Sequence, residues 1–212
     1  MSFYAVIKDY ESVVCLGDYV GVSGKNRDSN KCIDLLKKRK GRLLLGNHDL
    51  EVIGGSNHDS DIRFVVDDVE YRYDYNIRED NKDWLKRRAR MLFKASLHSR
   101  VLLFAHSYCL AGHFQYLDNM QIIGEYLGKI EGRDSIAFVG HTHVPGLFSF
   151  VDNRQLTRHK VIYQEWVPLE AGKKYLVNVG SIGEPRDGSK DGTFVLFDSD
   201  HTGVMFCHAK VA

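Results

Sequence analysis

Four short apolar runs in this chain end in residues that can hold metal ions. VVCLG leads to Asp18, LLLG to Asn47, His48 and Asp49, VLLFA to His106, and IAFVG to His141, Thr142 and His143. In open α/β sheets, ligands bind beyond the carboxyl ends of the strands. Four such ends would gather one Asp, one Asn and four His at a single edge. Imidazole and carboxylate suit borderline divalent ions such as manganese, iron or zinc, and the amide oxygen of Asn47 suits a cation that takes mixed N and O donors. Asp18 has two oxygens and can bridge two ions. A pair of ions about 3.5–4 Å apart clamps a phosphate and holds a nucleophilic water, whose pKa falls from about 15.7 to about 7 on a metal. One histidine at a strand end is usually structural. Four strand ends in order make metal binding the stronger reading.

The elements that must position these residues follow from patterning. The runs at 13–17, 43–45, 101–105 and 136–140 are continuous and apolar, as in strands buried on both faces. Helical spacing is found at 2–10 (Phe3, Val6, Ile7, Tyr10), at 30–40 with Gly41 closing it, at 79–94 (Trp84, Leu85, Ala89, Leu92) and at 119–131 (Met120, Ile123, Leu127, Ile130). FVVDDVEYRYDY reads as a hairpin around Asp67-Asp68. From 147 onward the pattern is strands: LFSF, HKVIYQEWVPL, KKYLVNVG, TFVLFDS and GVMFC. Alternating β and α elements followed by β elements predict an α/β fold of two sheets face to face with helices outside. The site residues span 18–143 and need one scaffold, so residues 1–212 are expected to form a single domain.

Composition narrows the function classes. The 212 residues are 43% hydrophobic and 27% charged, with a net charge of +1. Such a chain has no global attraction to nucleic acid or membrane, which leaves nucleic acid unsupported without excluding it. No run approaches the ~18 apolar residues of a membrane helix, and the N-terminus does not read as a signal peptide. Cys15, Cys32, Cys109 and Cys207 form no C-x-x-C pair, which fits reduced thiols in a cytoplasmic protein.

The same residues are similar to those of the calcineurin-like metallophosphoesterases. CLGDYVG (15–21) resembles the family's G-D-x-x-x-x-G block, slightly shortened, with Gly21 or Gly24 closing the turn. LLGNHDL (44–50) matches G-N-H-D/E, FAHS (104–107) the lone histidine after a strand, and VGHTHVP (139–145) G-H-x-H. NVGSIGEPRDG (178–188) is similar to a late loop of the small bacterial and archaeal phosphodiesterase branch. The resemblance implies a four-layer α/β/β/α sandwich of two mixed sheets flanked by helices. It implies two divalent ions, manganese foremost, with iron, zinc or nickel as alternatives. Asp18 would bridge them, Asn47, His106 and His141 would complete the second site, and His143 would serve the first. His48 would assist the leaving oxygen, with Asp49 orienting it. The implied activity is hydrolysis of a phosphodiester or phosphomonoester by a metal-bound hydroxide.

One departure matters. The family opens with a strand ending in D-x-H, and no D-x-H precedes Asp18. The expectation is that the first strand is missing and that the first metal site keeps only Asp18 and His143, so that one ion is held firmly instead of two. The alternatives are a shortened start, a working enzyme with one labile ion, or a degenerate metal- or phosphate-binding protein that acts through a partner. An unpaired sheet edge would also favour a homo-oligomer. His58, Asp59 and Asp61 form a small cluster better explained by loop polarity. KKRKGR (37–42) and KRRAR (86–90) read as helix-end cations and a solvated helix face, with phosphate contact as the alternative. Arg186 is a candidate phosphate or loop-organising contact, against an ion pair with Glu184 or Asp187. Tyr108 and His113 are candidates to line the pocket, with core packing as the alternative.

Overall fold

A computed structural model describes residues 12–23, 29–53, 63–66, 69–73, 77–110, 113–151 and 155–210. The helix expected at 2–10, the His58, Asp59 and Asp61 cluster, Gly24 and the Asp67-Asp68 turn lie outside those residues. The fold is α/β, and the backbone forms two compact units, one within Ser12–Met91 and one from Leu92 onward. Among the described residues no helix is long and apolar enough to cross a membrane.

In the first unit, β1 (Val14–Cys15) runs parallel to β3 (Arg42–Leu43), with Cys15 opposite Leu43. Both carboxyl ends therefore point the same way. β3 is followed by Leu44, Leu45 and Gly46, and then by α2 (Asn47–Ile53). The expected hairpin is present: β4 (Arg63–Val66) pairs antiparallel with β5 (Val69–Tyr73), and β2 (Val22–Ser23) adds to β5. α1 (Ser29–Lys37) and α3 (Glu79–Arg88) are tied by ion pairs, Arg78 to Asp34 at 2.6 Å and Lys37 to Asp80 at 2.7 Å. These pairs are exposed and steer the packing more than they stabilise it. Lys37 thus has a carboxylate partner within the fold. The basic last turn of α3 (Lys86, Arg87, Arg88) lies where cations offset a helix dipole.

α3 stops six residues short of the expected 94. Ala89 is already extended, and Leu92–Leu97 is a strand, β6, with alternating exposure. The apparent helical spacing of Leu85, Ala89 and Leu92 joins the end of a helix to the start of a strand.

The second unit is built on a six-stranded mixed sheet in the order β12-β11-β14-β10-β7-β6. Its centre is parallel: β7 (Arg100–Ala105), β10 (Ser135–Val139) and β14 (Lys174–Asn178). β11 (Gly146–Val151) and β12 (Gln155–His159) extend one side antiparallel, and β6 closes the other. The β8–β9 hairpin (Tyr108–Leu110 and His113–Gln115) follows β7. β10 and β14 are buried along their whole length, as the apolar runs required.

α4 (Met120–Lys129) covers one face of this sheet. Ile123 and Leu127 are completely buried against Ala137, Val139, Phe148, Phe150 and Leu176. Burying each such side chain contributes about 1.5–3 kcal/mol. Asn119 caps the start of the helix by accepting from the Ile122 amide. At the other end buried Lys174 donates to the carbonyls of Leu127 and Ile130, and burial holds its ammonium below the usual lysine range. On the opposite face Phe138 meets Phe197 of β15 (Gly192–Asp198), at 5.4 Å between ring centroids. β15 belongs to a second sheet of order β13-β16-β15, with β13 at Trp166–Pro168 and β16 at Gly203–Ala209. Within this unit the layering is helix, sheet, sheet.

Candidate metal centre

Three neighbouring parallel strands deliver His106, His141 and Asn178 to one edge of the six-stranded sheet. His106 directly follows β7, and its carbonyl accepts from the Gly140 amide at 2.9 Å. Gly140 follows β10 and turns the chain into His141. His106 and His141 are both buried, and His106 Nε2 lies 3.0 Å from His141 Nδ1. That spacing suits a hydrogen bond. It also brings two imidazole nitrogens close enough together to be candidate ligands of one divalent ion.

The His141–His143 turn is bolted from below. Asn178, at the end of β14, donates through Nδ2 to Thr142 Oγ1 at 2.8 Å and to the Gly140 carbonyl at 3.2 Å. The Val144 amide donates to Thr142 Oγ1 at 3.2 Å. The late loop closes over His143. The His143 Nδ1–H donates to the Glu184 carbonyl at 2.7 Å, and the Arg186 amide donates to the His143 carbonyl at 3.1 Å. A carbonyl can only accept, so His143 carries its proton on Nδ1 and keeps Nε2 as the lone-pair nitrogen. This is the usual way an outer carbonyl orients a ligand histidine.

The contact of Arg186 with His143 is thus made by its backbone. Its side chain is exposed. Asp187 accepts from the Tyr163 hydroxyl at 3.0 Å.

The first unit carries Asp18, Asn47, His48 and Asp49. Asn47 opens α2. The His48 amide donates to Asp18 Oδ1 at 3.1 Å, and the His48 ring nitrogen Nδ1 is 4.0 Å from Glu51. Asp49 is fully buried and does something other than orient His48. Its carboxylate accepts from the amides of Asp18 (2.7 Å), Tyr19 (2.9 Å), Val20 (3.3 Å) and Gly46 (3.0 Å). One side chain thus caps α2 by reaching back to Gly46, and clamps the Asp18 loop against it. Burial, and then the neighbouring Asp18 charge, push the Asp49 carboxyl up to about 7, against the pull of the amides.

The two glycines here are dictated by contact. A Cβ on Gly46 would collide with the Asp18 carboxylate, and one on Gly17 (φ 103°) with the Gly46 amide nitrogen. Gly46→Ala is therefore expected to displace Asp18, lower metal affinity at least about tenfold and cost roughly 2–4 kcal/mol. Metal titration followed by thermal melting measures both. Unchanged affinity would show that Asp18 is not a ligand.

Backbone strain marks the same residues. Among the described residues six non-glycine positions have positive φ, and three of them are Asp18 (56°), His141 (66°) and His143 (61°). Left-handed backbone persists at such positions only where the surroundings impose it, and it gathers at functional sites.

Some site neighbours escape sequence reasoning. Asn178, Thr142 and Glu184 hold the histidines, and although all three lie within the motifs quoted above, nothing local in the sequence signals these contacts. Phe114 and Tyr116 lie beside the His106–His141 pair, with Tyr116 4.3 Å from His141 between ring centroids. Tyr108 packs on Tyr126 and accepts from Lys129 at 2.7 Å, so it belongs to the α4 side and not to a pocket. The His113 side chain lies outside the described residues.

Each unit by itself carries donors of the kinds divalent metals take: the imidazole nitrogens of His106, His141 and His143 in the second, and the Asp18 carboxylate and Asn47 amide oxygen in the first. The chain is 26% identical over 200 residues to Uncharacterized protein MJ0912 of Methanocaldococcus jannaschii, covering 92% of this chain and 76% of that one. Its fold matches the crystal structure of a metallophosphoesterase from Sphaerobacter thermophilus, with a TM-score of 0.65, 20% identity, and 98% and 82% of the two chains covered. Hypothetical protein PH1004 from Pyrococcus horikoshii OT3 is similar too, with a TM-score of 0.61, 17% identity, and 98% and 80% covered. A family profile described as the calcineurin-like phosphoesterase superfamily domain matches residues 1–202. Motif order, strand-end histidines and this match agree, and the chain belongs to the calcineurin-like phosphoesterase superfamily.

Proposed function

We propose that this protein is a metal-dependent hydrolase of phosphoesters, with phosphodiesters preferred, and that Asp18, Asn47, His106, His141 and His143 are its metal ligands. Manganese is the first candidate ion. The observation that most supports this reading is the His106–His141 pair, two buried imidazoles from adjacent strand ends with ring nitrogens 3.0 Å apart. When bound, divalent ions would polarise the phosphoryl oxygens and acidify a water for attack.

The chain's own residues divide the remaining work. Asn178 and Thr142 keep His141 and His143 in their left-handed turn. Glu184 fixes the His143 tautomer, which leaves Nε2 with its lone pair. Asp49 holds the Asp18 loop and the start of α2 together. His48 donates a proton or a hydrogen bond to the leaving oxygen. Arg186, whose amide is tied to His143, has an exposed side chain in the late loop and is a candidate contact for an anionic substrate. Among the described residues Cys15, Cys32 and Cys207 form no disulfide, which fits a reducing compartment and makes the cytoplasm the expected location.

Metal content after manganese loading and desalting tests the reading, together with turnover of an activated phosphodiester. Between one and two ions per chain with turnover is the expected result. No bound ion and no turnover would leave a phosphate- or partner-binding protein. His48→Ala is expected to keep the metal and lose about 10²–10³ in turnover. Full turnover in that variant would remove His48 from the mechanism.

A further inference from the structure

The β8–β9 hairpin leaves an aromatic side chain that neither the metal ligands nor the core explains. Tyr116 is 49% exposed, yet its ring lies 4.3 Å from that of buried His141, inclined at 35°. Two residues earlier Phe114 stands edge-on to His106, with centroids 5.3 Å apart and planes at 87°, and lies 5.9 Å from His141. The segment is anchored on both sides. The Ser107 hydroxyl donates to the Gln115 carbonyl, and Leu117 is buried in the α4 core. Among the described residues the Tyr116 hydroxyl makes no hydrogen bond, so ring contact is what its side chain contributes here.

Phe114 can do the shielding, because it touches both histidines from a half-buried position. Tyr116 is different: its ring lies against His141, and about half of the residue is exposed. A rigid aromatic ring held this way offers a face for another planar ring, and such stacking is tolerant of the ring's identity. We propose that Tyr116 is a specificity-determining residue, whose exposed ring stacks on a planar aromatic group carried by the phosphoester while the phosphate lies at His141. This rests on the phosphoester reading above. Its chemical class is an aryl or nucleobase-bearing ester, as opposed to an alkyl or sugar phosphate.

The test is direct binding by calorimetry to manganese-loaded protein, with metal content measured alongside. The probes are methylphosphonate, phenylphosphonate and a nucleoside phosphonate. None of them turns over, so leaving-group reactivity does not enter. Wild type is expected to bind phenylphosphonate or the nucleoside phosphonate about five- to tenfold more tightly than methylphosphonate. Which of the two gains tells an aryl source from a nucleobase. Tyr116→Ala and Tyr116→Leu should lose that preference with metal content and methylphosphonate affinity unchanged, and Tyr116→Phe should keep it. Equal affinity for all three probes in wild type overturns the proposal and leaves the phosphoester reading standing. A fall in metal content in both Tyr116→Ala and Tyr116→Leu also overturns it, because Tyr116 would then only position His141. Failure of methylphosphonate to bind loaded protein at all removes the phosphoester reading, and the Tyr116 assignment with it.

Discussion

Replacing Asp49 with alanine is expected to lower stability by roughly 3–5 kcal/mol. Four backbone amides, from Asp18, Tyr19, Val20 and Gly46, donate to this one buried carboxylate. A buried donor that loses its acceptor costs about 1–3 kcal/mol, and water entering the small space left by the side chain recovers part of the sum. Urea denaturation at fixed pH measures the loss. Asp49→Asn keeps the shape and one accepting oxygen but turns its amide toward other donors, so it should fall between alanine and wild type. The carboxylate spans both motif loops, and bound metal should fall with stability. A cost below about 1 kcal/mol for alanine would mean that the amides find other partners, and that the clamp is not what holds the loop.

Asp18→Asn separates chemistry from folding. Asparagine tolerates the left-handed backbone at this position, and its oxygen can still accept from the His48 amide. Stability should change by less than about 1 kcal/mol. The charge that draws the cation is gone, however, and turnover should fall about a thousandfold or more, equivalent to roughly 4 kcal/mol of activation energy. Metal content and steady-state rates, read on the same preparation, check this. Wild-type turnover in a folded Asp18→Asn variant would exclude Asp18 as a ligand and move the proposed centre elsewhere.

Strand ends were legible in the sequence because buried parallel strands are written as unbroken apolar runs. β7, β10 and β14 lie where VLLFA, IAFVG and KYLVN put them. β6 was not legible, since Leu92 continues the spacing of a helix that has already ended. Its strand character comes from pairing with β7, a long-range fact with no local signature. The β8–β9 hairpin has three residues on each side, too few for a period to show.

For the site, the placement of His106 and His141 just after β7 and β10 was readable, and the contacts made by several other candidates were not. Asp49 was expected to orient His48, the usual task of a carboxylate beside a histidine. The structure gives it backbone amides, which every residue has and no motif advertises. Arg186 likewise acts through its amide on His143. Asn178, which fastens the His141 turn, lies in the late loop whose similarity was visible, but its task depends on β14 being next to β10.

The left-handed backbone at His141 and His143 sets a direction for evolution. Glycine at either position would relieve about 1–2 kcal/mol of local strain, and asparagine part of it. Screening variants for heat tolerance alone should therefore enrich glycine and asparagine there, with the sheet and helices intact. The enriched proteins would melt later and hold less metal. On the proposed ligand assignment, selection on turnover keeps histidine at both positions, so the two kinds of screen should diverge first at residues 141 and 143.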